Sequence, residues 1–405
     1  MIPFVISKII FAIVFVLIHV YYYKGGDTFL YFSGANFFAE QIIHSPTDLF
    51  RLLFVDQSDL NQIIYTSTYV YAVNTSKDVF ILSKILSIFS LFGFKQYLCT
   101  SIIFTSITAV GIWKLYTTFC KLYPAMYKVL AFGILFYPSL GIWGSGILKD
   151  PLTFAAVGII FSSTLNLINR EKIFYSVGGI AISILFCFVL KPYILYTFIP
   201  IMLLWTQGKL VGKSKNSVTK YVLTPILVPL FLAGGYFALK QISAGAGKYS
   251  LENVQSVAEG FQSWHSYLAE TRDQSGYSLG EVEFTPAGIA SKAPQAFFVA
   301  YFRPFIIGDV RNVATLFEAI QALILLILSV YVLFKVGIFK SIRLVISNSD
   351  LRVFMLFAIV FGVTVGLTSY NFGALSRYKI PGVPFYVASI AIIYYLGYLK
   401  PKKGY

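Results

Sequence analysis

The chain has 405 residues, of which 57% are apolar and 12% charged, with a formal net charge of +15. A soluble domain carries roughly a quarter of its residues as charges, so this composition excludes one and points to a polytopic membrane protein. The positive balance does not mark a nucleic-acid binder, because lysines and arginines cluster between apolar runs, the bias that orients membrane helices.

The first apolar run, 2–23, starts weakly basic at Lys8 and lacks a small-x-small cleavage site, so it is expected to be a retained span. The stretch 24–95 is expected on the outward side, with amphipathic helices over 27–54 and 76–94 lying in the membrane interface. Spans at 96–119 and 127–146 lead to Lys121 and Lys128 and back to the Gly144-Ser145-Gly146 turn. A fourth, 152–168, returns to Arg170 and Lys172. Residues 174–206 are too long for one crossing, and Lys191-Pro192 marks a hinge between two short spans. A seventh span at 221–239 leads into a large outward loop, 240–312. Spans at 314–334, 353–368 and 383–399 complete ten, with both termini cytoplasmic.

The expected fold is therefore an all-α integral membrane bundle over 1–405. An outer-membrane barrel would alternate polar and apolar residues in ~10-residue strands, and the aliphatic run 322–328 excludes that. No internal repeat is evident, which weighs against the many transporters built from repeats. Cys99, Cys120 and Cys187 fall in or beside apolar runs, and His19, His44 and His265 lack metal-ligand spacing.

Candidate chemistry gathers on the outward side. Asp27, in Gly25-Gly26-Asp27-Thr28, sets a carboxylate on a glycine hinge at the membrane edge. It reads either as the cap of the following helix or as a general base beside a lipid-anchored substrate. Asp150, before Pro151, is a helix-start signal. Its neighbour Lys149 stands on the face that the orientation rule disfavours. Lys191 is a second such exception, readable as a snorkelling lysine. Arg303 in Tyr301-Phe302-Arg303-Pro304-Phe305 and Arg377 in Ser376-Arg377-Tyr378 are the others, with Glu318 as a ready partner for an arginine. Against simple ion pairing stands a ring of Lys149, Lys191, Arg303 and Arg377 around a lipid phosphate or pyrophosphate. Trp264, His265, Tyr267 and Tyr277 are candidates for stacking on sugar rings. No nucleotide-binding fingerprint appears, so a donor on the outward face would have to be lipid-linked.

With these residues, the chain resembles the GT-C superfamily of polytopic glycosyltransferases. Their acidic residue follows the first span, as Asp27 does in Gly25-Gly26-Asp27-Thr28-Phe29-Leu30-Tyr31. Arg377-Tyr378-Lys379-Ile380-Pro381-Gly382-Val383-Pro384 is similar to their Arg-Tyr-x-x-Pro-x-x-Pro pattern before the final span. Pro138-Ser139 through Lys149-Asp150, Lys191-Pro192-Tyr193 and Arg303-Pro304-Phe305 also look like stretches in membrane proteins of bacterial surface-glycan clusters.

The resemblance implies an enzyme of the bacterial inner membrane that moves a sugar or oligosaccharide on the periplasmic face. The donor would be polyprenyl-(di)phosphate-linked, and the acceptor a glycan, lipid or protein. Asp27 would be the base; Lys149, Lys191, Arg303, Arg377 and Tyr378 would bind the lipid phosphate. Asp150 and Glu318 would orient them, and Trp264, His265 and Tyr267 would touch sugar. Many members carry a second acid in the early outward loops that helps bind a divalent metal; Asp56 and Asp59 are the candidates here. Two alternatives remain open, an undecaprenyl-diphosphate-linked repeat-unit polymerase or oligosaccharyltransferase, and a lipid or glycolipid transporter.

Overall fold

The computed structural model describes residues 1–62, 71–213, 275–283 and 285–400, with Ser256, Glu259, Gly260, Ser263, Trp264 and Tyr267. The expected seventh span, 221–239, and much of the 240–312 loop lie outside these residues. Among the described residues every element is helical, and the sole extended pairing is an antiparallel bridge between Gly276 and Asn371. The elements are α1 (Ile2–Leu17), α2 (Asp27–His44), α3 (Leu49–Phe54), α4 (Lys77–Phe92), α5 (Tyr97–Leu122) and α6 (Tyr127–Leu130). They continue with α7 (Pro138–Trp143), α8 (Lys149–Ile168), α9 (Ile173–Leu190), α10 (Pro192–Lys213) and α11 (Pro286–Phe302). The last are α12 (Val313–Val336), α13 (Ile338–Ser347), α14 (Ser349–Thr368), α15 (Phe372–Tyr378) and α16 (Val383–Tyr394).

Among the described residues six helices are long and apolar enough to cross a bilayer: α1 with the π-helical turns that extend it to Tyr23, and α5, α8, α9, α12 and α14. The pair α15 and α16, bent by 69°, makes a seventh if counted as one span. The crossing expected over 127–146 is not one helix. It breaks into α6, a π-helical turn and the short α7, because Pro138 cannot donate a backbone hydrogen bond and starts a new helix instead. The hinge expected at Lys191-Pro192 does separate α9 from α10.

The spans close around aromatic side chains. Phe119, Phe161, Phe198, Trp205, Phe354, Phe357 and Phe385 are all buried, with edge-on contacts such as Phe119 to Phe354 at 5.0 Å and Phe357 to Phe385 at 4.8 Å. At the basic end of this core Asp350 accepts from Trp205 Nε1 at 2.7 Å and from Lys209 Nζ at 2.8 Å.

At the other end, α2 and α4 pack together and bury Tyr31, Ala35, Leu82 and Leu86 against Phe15 and Phe104 of the spans. The apolar spacing that suggested interfacial helices is therefore spent on this contact. Lys84 of α4 donates to Val55 O at 2.7 Å just beyond α3, and burial pushes its ammonium below the usual lysine range.

The turn between α7 and α8 is held by α1. Lys8, almost fully buried in the first span, donates to Gly144 O at 2.6 Å, Leu140 O at 3.3 Å, Gly141 O at 3.4 Å and Ser145 Oγ at 3.1 Å. The ammonium thus satisfies Gly144 O, the carbonyl left over at the end of α7, and adds to Leu140 O and Gly141 O, which already accept from Gly144 N and Ser145 Oγ. Gly146 has φ +74°, and a Cβ there would meet the Phe15 ring at 2.1 Å, so both conformation and space demand glycine.

Candidate functional site

The centre of the Asp27 end is Arg377, in the last turns of α15. Its Nη1 donates to Asp27 Oδ2 and its Nη2 to Asp150 Oδ2, both at 3.3 Å. The two carboxylates differ sharply: the Asp27 side chain is 54% exposed and that of Asp150 1%. The second oxygen of Asp150 accepts from Lys191 Nζ at 2.6 Å. Charge-assisted hydrogen bonds run at about 2.7–2.9 Å, so Lys191 grips Asp150 tightly while Arg377 holds both acids loosely. Its Nε is buried and has no partner among the described residues.

Each of these groups is placed by backbone that the sequence dictates. Gly26 takes φ +109°, which lets the chain turn sharply out of α1. Thr28, fully buried, shares a hydrogen bond with the Tyr97 hydroxyl at 2.8 Å and so ties the start of α2 to α5. Lys191 lies between α9 and α10, over the Tyr378 ring at 4.6 Å. The Trp143 ring lies 5.9 Å from the Arg377 guanidinium.

A second pair borders the first. Lys149 Nζ meets Asp78 Oδ2 of α4 at 2.5 Å and sits 5.3 Å from the Tyr31 ring. Burial, aided by Asp27, pushes the Tyr31 hydroxyl well above the usual tyrosine range, so it stays a neutral phenol. Asp27, Asp78 and Asp150 balance Lys149, Lys191 and Arg377, and the cluster is neutral.

The sequence candidates fare unequally. Asp27, Lys149, Asp150, Lys191, Arg377 and Tyr378 do come together. Arg303 does not join them: its guanidinium is engaged twice by Asp309, with Nε to Oδ2 at 2.9 Å, and lies over the Phe372 ring at 5.3 Å. The ring of four free cations is therefore corrected to a set of ion pairs, because each of the four has a carboxylate of its own. Glu318 orients neither arginine; it stands 3.5 Å from Lys379 and accepts from Ser139 Oγ at 2.6 Å.

Both helix-cap readings also need correction. The cap position of α2 is Gly26 and that of α8 is Leu148, neither with a side-chain cap, so Asp27 and Asp150 fall inside the first turn. Carboxylates there still favour the helix dipole. Tyr277 is buried and donates to Gly366 O at 2.7 Å, so it is no surface for a sugar. Trp264 and Tyr267 are exposed, with ring centroids 5.9 Å apart, while His265 lies outside the described residues. Asp56 makes an exposed pair with Lys77 at 3.9 Å. Among the described residues no three acids, histidines or cysteines are grouped to hold a metal ion. Asp27, Asp78 and Asp150 hold cations of the protein instead, which does not fit a shared metal.

Sequence reasoning missed Lys8, Asp78, Asp309 and Lys379. Asp78 carried one usable signal: it is an acid in the early outward stretch, opposite a lysine that needed a counter-charge.

A cavity of about 220 Å³ opens beside the cluster, lined by Tyr23, Trp143, Glu318, Phe372 and Ser376 among others. Compared with models of known protein families, with curated proteins and with solved structures, the chain matches none.

Proposed function

We propose that the chain is a GT-C-like membrane glycosyltransferase acting on a polyprenyl-(di)phosphate-linked donor at the periplasmic face of a bacterial inner membrane. The observation that carries this reading is the loose bridge of Arg377 between an exposed and a buried aspartate. Arg377 has an unpartnered Nε and two long contacts, so a phosphate oxygen can compete for it. Taking that contact frees Asp27, the more exposed acid, to act as base.

In the reaction the acceptor hydroxyl oxygen attacks the anomeric carbon and its proton passes to Asp27. The bond from that carbon to the phosphate oxygen breaks, and its electron pair leaves with the lipid phosphate. Arg377 stabilises the charge that grows on the leaving group, a contribution often worth several kcal/mol. Lys149 and Lys191 act at one remove, adding positive potential while fixing Asp78 and Asp150.

The test uses the purified protein in proteoliposomes with a panel of undecaprenyl-phosphate- and undecaprenyl-diphosphate-linked sugars. Release of lipid phosphate on addition of acceptor is measured. Asp27→Asn is expected to fold, insert and release none, and turnover at the wild-type rate in that variant would sink the base assignment. Turnover kept in Asp27→Asn but lost in Arg377→Ala would favour the polymerase, which needs the cations and no carboxylate base.

One observation favours the transporter as a second reading. The 69° break between α15 and α16 carries Arg377 and Lys379 beside it, and broken helices often form transport sites. Labelled lipid crossing the liposome without chemical change would support that reading.

A further inference from the structure

The short helix α13 is tied closely to two spans. α12 stops at Val336 and α13 starts at Ile338; α13 stops at Ser347 and α14 starts at Ser349. Gly337, at φ +87°, makes the first of these turns. Tethers this short hold α13 at the edge of the bilayer, at the basic end of the molecule.

Its residues sort into three faces. At about 100° per residue, Ile338, Phe339, Ile342 and Ile346 fall in one stripe about 100° wide. All four are exposed, Phe339 by 90%. Arg343 and Lys340 border the stripe on one side. Ser341, Leu344 and Val345 form the third face and pack on the bundle.

The cations here lack the counter-charges that the Asp27 end supplies. Among the described residues Lys335, Lys340, Arg343, Arg352 and Lys400 are exposed and stand in no ion pair. Glu171 and Asp350, the acids of this end, are held elsewhere, by Lys121 at 3.8 Å and by Lys209 at 2.8 Å. Two of the free ammoniums meet at the last turn of the chain's final helix. Lys340 Nζ donates to Gly397 O, and Lys335 Nζ lies 5.8 Å from the Tyr398 ring. An ammonium has three donors, so each keeps some for an anion.

We propose that α13 lies flat in the leaflet at the basic end and binds an anionic phospholipid. The stripe of Ile338, Phe339, Ile342 and Ile346 seats among acyl chains, and Lys335, Lys340 and Arg343 hold the phosphate. Charge decides the occupant. A second copy related by two-fold symmetry would set this patch of cations against itself. An anionic phospholipid brings chains for the stripe and net negative charge for its border. The assignment stands apart from the glycosyltransferase reading.

In the test, the full chain in detergent is titrated with phosphatidylglycerol and with phosphatidylcholine, and bound lipids are counted by native mass spectrometry. Phosphatidylglycerol should be retained over phosphatidylcholine. Arg343→Gln and Lys340→Gln should each weaken it about fivefold, the effect of about 1 kcal/mol, with an unchanged melting temperature. Lys77→Gln, at the other end, should leave it unchanged. The second measurement places spin labels on the cysteine-free chain in nanodiscs containing phosphatidylglycerol. A label at Phe339→Cys should be reached by oxygen and not by a water-soluble nickel chelate, and one at Ser347→Cys by the chelate. Equal retention of the two lipids, undiminished affinity in both glutamine variants of α13, or an equal loss in Lys77→Gln would each overturn the proposal. So would a chelate-accessible label at position 339, or dipolar coupling there between two copies.

Discussion

Asp27 and Asp150 share one guanidinium and nothing else. Asp150 is sealed between Lys191 and Arg377, so its charge is needed to hold one buried and one half-buried cation. Asp150→Asn is expected to cost about 3–5 kcal/mol, the usual penalty for breaking a buried pair from one side. Asp27 is more than half exposed and screened, and Asp27→Asn should cost about 1 kcal/mol or less. Melting curves in detergent measure both, and a larger loss in Asp27→Asn than in Asp150→Asn would contradict this division of labour. The sequence singled out Asp27 as a carboxylate at the membrane edge and Asp150 as a helix start beside the misplaced Lys149, and that much was legible. Their partners were not, because the pairs join positions 41, 227 and 350 apart, and no local pattern records such a separation. Helix-start chemistry suggested caps at both positions because acids near a helix N-terminus look alike in sequence whether at the cap or one turn inside.

Among the elements, the short α7 and the turn after it depend most on a single distant side chain. Lys8 gathers three carbonyls and a hydroxyl at a buried position; Leu140 O also accepts from Gly144 N and Gly141 O from Ser145 Oγ, so removing the ammonium strands Gly144 O. Lys8→Met is expected to lower stability by about 1–3 kcal/mol, the cost of one stranded buried acceptor, seen as a lower melting temperature. Gly146→Val should fail to give a monodisperse peak in size-exclusion chromatography, since the added atoms enter the Phe15 ring. Hydropathy found α1, α5, α8, α9, α12 and α14 because a long apolar helix is its own signal. It misread 127–146 because composition is blind to where hydrogen bonds stop, although Pro138 stood in view. Lys8 passed as a weak basic flank, since nothing near it in sequence shows what it caps.

At the scale of the whole molecule, the charge rule divides the helix ends into two sets, and the two ends are built differently. One holds the neutral cluster of Asp27, Asp78, Asp150, Lys149, Lys191 and Arg377; the other carries exposed basic residues and the Asp350 contacts. In a chain with its native cysteines replaced by serine, Asp56→Cys should react with an impermeant maleimide on whole cells. Glu171→Cys should react only after permeabilisation, and the reverse pattern would invert the orientation on which the function rests. The bridge at Arg377 also has a bearing on biogenesis. Asp150 and Lys191 sit 41 positions apart at the ends of neighbouring helices, so they can neutralise each other as soon as that hairpin enters the membrane. Asp27 must wait for a partner 350 residues downstream, on the order of tens of seconds at translation speeds of about 5–20 residues per second. Its place in water suits that delay, and the arrival of Arg377 makes the closing of this end one of the last acts of assembly.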